Sequence, residues 1–375
     1  DLTPQLFYSN GTLLSTIASS EVYKYLEFLS VDAVYMYNGS SIIRVPDSKN
    51  TLFTCTDLSL IEKRQLMRFL NDIYQIRTMN PDETALVNSI KEQGSVRKYL
   101  QSISLSKLCQ DIIIYGICMS SQDDMEDAAE ALKRLQKYAI SLGKYGTSPF
   151  VYCHYGFSDV AQGFSRSSSI AGGVFLCGHS FNAIRHDDDT WKIDCTSPEG
   201  RSEGVKFTVS AQKLVKNAFY APEAATFKGV QVDYVQYFTD KELPYERRGY
   251  ITLPGIASNS VQCLFSRIDN ISLVALSVIH VDGEEEALNK AFEIICGKEY
   301  KEQALYMVSY SLYLRQWDAV KTVEDVMITS DGTIGINSDI DSVISEAQSV
   351  CGDQLFRDDE IVEVVPDEPA HSTQP

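Results

Sequence analysis

Cations are scarce in this chain: 33 lysines and arginines face 51 aspartates and glutamates, a net charge of −18 over 375 residues. Nucleic-acid binding needs a cationic face, which excludes that class and disfavours tight adsorption to an anionic membrane. No apolar run approaches the roughly 20 residues of a membrane span. No Walker sequence and no Gly-x-Gly-x-x-Gly occurs, so no nucleotide, flavin or other cofactor is expected from these residues. Gly178-His179-Ser180-Phe181-Asn182 lacks the second glycine of a nucleophile elbow, which removes the main hydrolase signature. Nine cysteines, an odd number, form no Cys-x-x-Cys and mostly sit in apolar runs. They read as reduced, buried thiols of a cytosolic protein. Cys177, His179, His186 and Cys195 match no usual zinc spacing, and His186 to Asp189 reads as a hairpin tip, so no metal is expected. The start, Asp1-Leu2-Thr3-Pro4, has no initiator methionine and reads as cut from a longer chain.

What is present is enough for one large body or two modest domains, with 44% hydrophobic residues. The first 50 residues are expected to hold a short helix opening at Ser20-Glu21, with Val22, Tyr25, Leu26 and Phe28 apolar. A hairpin follows, Ala33–Tyr37 and Ile42–Val45 joined through Asn38-Gly39. From about 57 to 148 the pattern turns helical. Ser59 with Glu62 fits a capping box, and Leu66, Phe69, Leu70 and Ile73 follow on one face. Ile112 to Met119 is apolar nearly all round. A further helix is expected to open at Asp123 and Glu126 and to bury Met125, Ala129, Leu132, Leu135, Ala139 and Leu142. Strands are then expected at Gly172–Cys177, Thr190–Asp194, Gln231–Phe238, Ser272–Val281 and Tyr306–Leu314, with helices at Glu284–Cys296 and Ser338–Phe356. Beyond Arg357 an acidic, proline-bearing tail reads as disordered.

The most unusual stretch is Tyr155 to Arg166, where polar residues alternate with aromatics and glycines as the helical part returns to strands. Taken alone, this pattern fits either a turn with Arg166 starting a surface helix, or a docking face. Arginine and aromatics suit the second, because they bury area while keeping directional bonds.

This stretch, with Gln162-Gly163-Phe164-Ser165-Arg166 followed by Ile170-Ala171-Gly172-Gly173, resembles the signature of the Rab GDP-dissociation inhibitor and Rab escort superfamily. Phe7–Gly11, Glu62–Leu70 and Leu142–Phe150 resemble further family segments in the same order. Pro46 to Met67 and the ending from Asp339 resemble the escort branch more than the dissociation inhibitors. The resemblance implies an α/β, flavoprotein-like domain I interrupted by an all-helical domain II, without redox activity. The division would be 1–56 and 149–356 for domain I, 57–148 for domain II, and 357–375 for the tail. Family members begin with a strand and a glycine-rich turn that these residues do not include.

The resemblance also implies partners. A platform of Asp159, Gln162, Phe164 and Arg166 would bind GDP-state Rab GTPases. Asp159 stands where glutamate is usual and Ala161 where proline is usual, so the reach is shorter and the turn looser. Tyr138 and Lys144 would touch the Rab geranylgeranyl transferase α-subunit; lysine stands there in place of an arginine and cannot pair in bidentate fashion. A geranylgeranyl chain in water costs on the order of 10 kcal/mol, at about 0.8 kcal/mol per CH₂. Ile113, Gly116, Ile117 and Met119 are the residues expected to line an apolar cleft for it. The expected role is non-catalytic: an escort that presents Rab for prenylation and touches membranes only transiently during delivery. Recycling of prenylated Rabs is the alternative, and a flavin oxidoreductase of related fold a remote one.

Overall fold

The computed structural model describes residues 1–81, 84–123, 125–187, 189–198, 206–217, 229–284, 286–315, 321–323, 326–331, 336 and 340–351. The acidic tail lies outside them. So do the two ends of the Ser338–Phe356 helix, whose described part is Ser342–Cys351.

Seven strands form the central sheet, in the order Tyr306–Leu314, Val230–Thr239, Ile271–Ile279, Val261–Ile268, Arg248–Leu253, Ala33–Tyr37 and Ile42–Arg44. Every neighbouring pair is antiparallel except Arg248–Leu253 with Ala33–Tyr37. The expected hairpin is there: Tyr37 pairs with Ile42, and the Asn38 carboxamide oxygen accepts from the Ser40 and Ser41 amides at 3.0 and 2.9 Å.

Strand alternation decides what each face of this sheet buries. Val34, Met36, Tyr250 and Leu264 point into one core with the helical module. Ala33, Tyr35, Ile251, Cys263 and Phe265 point the other way, into a core closed by the amphipathic helix Ala287–Cys296. The sheet is thus the middle layer between two helical ones.

The first of those layers is a run of helices: Lys49–Thr54, Leu60–Gln75, Ala85–Gln93, Val96–Ser102, Lys107–Asp111 and Ala128–Ser141. Between 45 and 149 no strand occurs among the described residues. Ser59 and Glu62 form the expected capping box: the Ser59 amide donates to Glu62 Oε2 at 2.8 Å, and the Glu62 amide donates to Ser59 Oγ at 3.3 Å. That backbone hydrogen bond, first among several, holds the Glu62 carboxyl below its ordinary range. Ile112–Ile117 is wound as a π turn, in which the Cys118 amide donates to the Ile113 carbonyl at 2.9 Å, five residues back.

Three sequence expectations are corrected. The helix expected from Asp123 starts instead at Ala128, capped by Asp127, whose carboxylate accepts from the Ala129 and Glu130 amides at 3.0 Å each. Asp123 is engaged elsewhere, accepting from the Arg97 guanidinium and the Tyr115 hydroxyl, both at 2.6 Å. Near the start, the principal helix is Thr12–Ser19, and Val22–Tyr25 is only one tight turn. Finally, Gly172–Cys177 is not a strand but an exposed connection.

A small sheet, Phe7–Tyr8, Phe150–Cys153 and Phe28–Ser30, flanks the large one and is antiparallel throughout. Phe7, Val151 and Cys153 share a core with Leu13, Ile17, Val22, Val160 and Ile344. This core seats the helix Ser158–Ile170, on which the candidate site stands.

Candidate functional site

The chain leaves the buried strand Phe150–Cys153 and turns into the helix Ser158–Ile170. Asp1 helps fix its start, because its carboxylate accepts from the Phe157 amide at 2.5 Å. Asp159 lies in the first turn, where a negative charge suits the helix dipole. Val160 and Gly163 are the buried positions of this helix. A Cβ on Gly163 would meet Val22 Cγ1 at 2.9 Å and Leu26 Cδ2 at 3.3 Å, so a residue without a side chain is required there. The glycine of the Gln-Gly-Phe element therefore serves close packing of the helix.

Helical geometry then sorts the four platform candidates. Asp159, Gln162 and Arg166 follow at i, i+3 and i+7 and share one side. Gln162 and Arg166 are exposed, and Asp159 is half-buried. The Arg166 guanidinium lies over the Tyr25 ring, 4.6 Å from its centroid, a cation–π contact that holds it on the surface. Phe164 does not join them. It is half-buried against the core beneath the helix, so it supports the platform from inside. Under the same helix, burial first, and the Asp159 charge second, push the Cys153 thiol up to about 11, leaving it neutral.

Exposed apolar residues follow this helix along the chain, and sequence reasoning misses their exposure by reading a strand. Ile170, Val174, Phe175 and Leu176 are all exposed, Val174 to 81%. The available signal is Gly172-Gly173: Gly172 has φ +96°, which ends the helix in a turn instead of leading into a strand. Acceptor, amide and guanidinium beside exposed apolar side chains make a surface suited to a protein partner.

The other predicted sites fare differently. Tyr138 is 1% exposed, packed edge-on to Phe150 at 6.3 Å between ring centroids, and burial raises its hydroxyl pKa. It cannot reach a transferase subunit from there and is a core residue. Lys144 is exposed, its Nζ donating to Asn10 Oδ1 at 2.7 Å. The structure therefore does not bring this pair together on a surface.

Ile113, Gly116, Ile117 and Met119 are all fully buried between the helical module and the central sheet. A Cβ on Gly116 would lie 2.5 Å from Val45 Cγ2, so the π turn presses directly on the hairpin. These four are sealed core, not the lining of an open cleft. Among the described residues no group of three or more His, Cys, Asp or Glu could hold a metal ion. His186 stacks on Trp191 at 4.4 Å, across the hairpin that the sequence suggested.

This fold, an α/β body with a helical insertion, is that of the Rab dissociation inhibitors. RAB GDI from Plasmodium falciparum superposes with a TM-score of 0.70 at 18% identity, covering 94% of this chain and 81% of that one. The family model for GDP dissociation inhibitor matches residues 1–234. The chain belongs to that family. Rab proteins geranylgeranyltransferase component A 1 of Rattus norvegicus is 29% identical over 51% of this chain and 29% of its own length. The probable secretory pathway GDP dissociation inhibitor 1 of Schizosaccharomyces pombe is also 29% identical, over 50% of this chain and 43% of its own length. Each match thus spans less than half of the relative, and the equal identities do not separate the escort branch from the dissociation inhibitors.

Proposed function

We propose that this chain binds GDP-state Rab GTPases through the outer side of the helix Ser158–Ile170 and the exposed connection after it. The observation that carries this reading is the shared helix side of half-buried Asp159 with exposed Gln162 and Arg166, followed along the chain by exposed Val174 and Phe175, on a chain of this family. The aliphatic and aromatic side chains supply area, while the arginine and glutamine set orientation. Asp159, shorter than a glutamate, limits the reach of the acidic contact. The chain carries out no bond-making step in this reading; it holds a protein.

Within that role we infer an escort, an accessory that presents Rab to a geranylgeranyl transferase and accompanies the lipidated product in the cytosol. Support comes from the escort-like segment Pro46 to Met67. With Tyr138 buried, any transferase contact must use other residues, of which Lys144 is exposed. Recycling of prenylated Rabs is the second reading, supported by the 29% identical Schizosaccharomyces pombe relative. Pull-down of the transferase by this chain separates the two. Capture together with stimulated prenylation of a Rab supports the escort, whereas Rab binding without capture supports the recycler.

A further inference from the structure

The two edges of the central sheet are finished differently. One edge strand, Ile42–Arg44, is only three residues long, ends on a charged side chain and runs into Pro46. Shortness, charge and proline are the usual protections of an unpaired edge. The other edge strand, Tyr306–Leu314, has none of them. It is nine residues long and contains no charged residue, proline or glycine. Its pairing with Val230–Thr239 keeps one register throughout, from Tyr306 opposite Phe238 to Leu314 opposite Val230, so no bulge bends it away. Among the described residues no strand pairs with its outer side. Tyr306 is 61% exposed, Met307 42% and Tyr313 58%.

This strand also reads nearly alike in both directions about Tyr310. When two copies meet antiparallel at that residue, Tyr310 faces its own counterpart. Ser309 then faces Ser311, Val308 faces Leu312, Met307 faces Tyr313 and Tyr306 faces Leu314. Alternation puts Tyr306, Val308, Tyr310, Leu312 and Leu314 on one face of the sheet, where the last three already pack with Val230, Val232 and Tyr234. Met307, Ser309, Ser311 and Tyr313 take the other face. In this register apolar side chains meet apolar ones, serine meets serine, and no charge in the strand loses water. A twofold axis demands that match, because whatever residue i requires of j, j must also accept from i.

We propose that Tyr306–Leu314 is the twofold contact of a homodimer, in which the central sheets of two copies join edge to edge. Self-complementarity selects a second copy over an unrelated strand. Charge confines the contact to this edge, since two chains of net charge −18 repel wherever their carboxylates meet and this strand brings none. A strand pair about 30 Å long is a small interface, so the dimer is weak and reversible.

No Rab enters the test, so its outcome is independent of the proposed function. The mass of the 375-residue chain is followed by analytical ultracentrifugation from about 1 to about 200 μM, concentrations that span a weak interface. It should rise from one chain toward two, and the rise should move to lower concentration as salt screens the net charge. Met307→Glu with Ser309→Glu places carboxylates on the edge at exposed positions. It should weaken the dimer by about tenfold or more while thermal melts match the parent. Register is read by oxidation, with the exposed Cys177 and Cys351 changed to serine. Chains carrying Ser309→Cys mixed with chains carrying Ser311→Cys should cross-link faster than either does alone. A one-chain mass for the parent at every concentration and salt overturns the proposal and leaves this edge to an extended peptide of another protein. A dimer unaffected by the paired glutamates, or equal cross-linking in mixed and separate samples, overturns it as well.

Discussion

Two stretches of similar apolar character end in opposite surroundings. From Ile112 to Met119 every residue is buried, Ile113 and Ile117 completely. From Ile170 to Leu176 the large apolar side chains are all exposed, between 43% and 81%. Hydrophobicity alone therefore does not distinguish a binding surface from a core. What distinguishes them is whether neighbouring elements can close over the segment. The π turn lies between a helical module and a seven-stranded sheet, with Val45 pressed against Gly116. The second segment leaves its helix through a glycine turn and meets no partner strand among the described residues. The first, expected to hold a lipid, is closed into the core, and the second stays exposed.

Substitutions can sharpen that contrast. The largest effect should come from Ile113→Ala, which removes a side chain at 0% exposure and leaves a cavity. It should cost about 3–4 kcal/mol, read as a lower urea midpoint at constant slope. If the segment lined an open lipid cleft in this form, the loss would be far smaller. Gly116→Ala should cost about 2 kcal/mol in the same assay, because its Cβ has no space beside Val45.

Asp341 joins the sealed region to the platform's core. Its carboxylate pairs with Lys137 of the helical module at 2.8 Å and accepts from the Leu13 amide at 2.9 Å, with both ionic side chains mostly buried. Asp341→Ala should cost about 2 kcal/mol and loosen both regions together in amide exchange.

Outside both regions, His280 and Asp233 give a pH signature. The hydrogen bond to Asp233, at 2.6 Å, raises the His280 pKa above its ordinary value against a smaller desolvation effect. Burial pushes Asp233 up, but hydrogen bonds from Ser311, His280 and Gln231 outweigh it and hold this carboxyl below its ordinary value. The raised histidine contributes stability that is full below its unfolded pKa of about 6.5 and is lost as pH rises through the folded value. The depressed aspartate contributes above its unfolded pKa and loses that contribution as pH falls through the folded one. Melting temperature followed from acid to alkaline pH should decline through the histidine's folded pKa in the parent, and His280→Gln should remove that decline. The smallest effect belongs to the exposed segment: Phe175→Ser should leave stability within about 0.5 kcal/mol of the parent, while weakening Rab binding.

Legibility of the fold in the sequence follows the range of the interactions involved. The Asn38-Gly39 hairpin and the Ser59–Glu62 box are readable because each is settled within a few residues. The helix start at Asp127 is not, because Arg97 and Tyr115 bind Asp123 and take it out of any capping role. The order of the central sheet depends on pairing Ala33–Tyr37 with Arg248–Leu253, more than two hundred residues apart, which no local pattern announces. At the site, Asp159, Gln162 and Arg166 stand out through the family signature and do share a helix side. Phe164 and Tyr138 mislead for a common reason: an aromatic in a motif looks the same whether it packs inward or outward.

The most direct test is a calorimetric titration of GDP-loaded Rab into this chain, compared with Gln162→Ala and Arg166→Ala. The expected result is a measurable complex with the parent, about tenfold weaker for Arg166→Ala, equivalent to about 1.4 kcal/mol, and weaker again when the Rab carries GTP. Equal affinity for the parent and both variants, with either nucleotide, would contradict it.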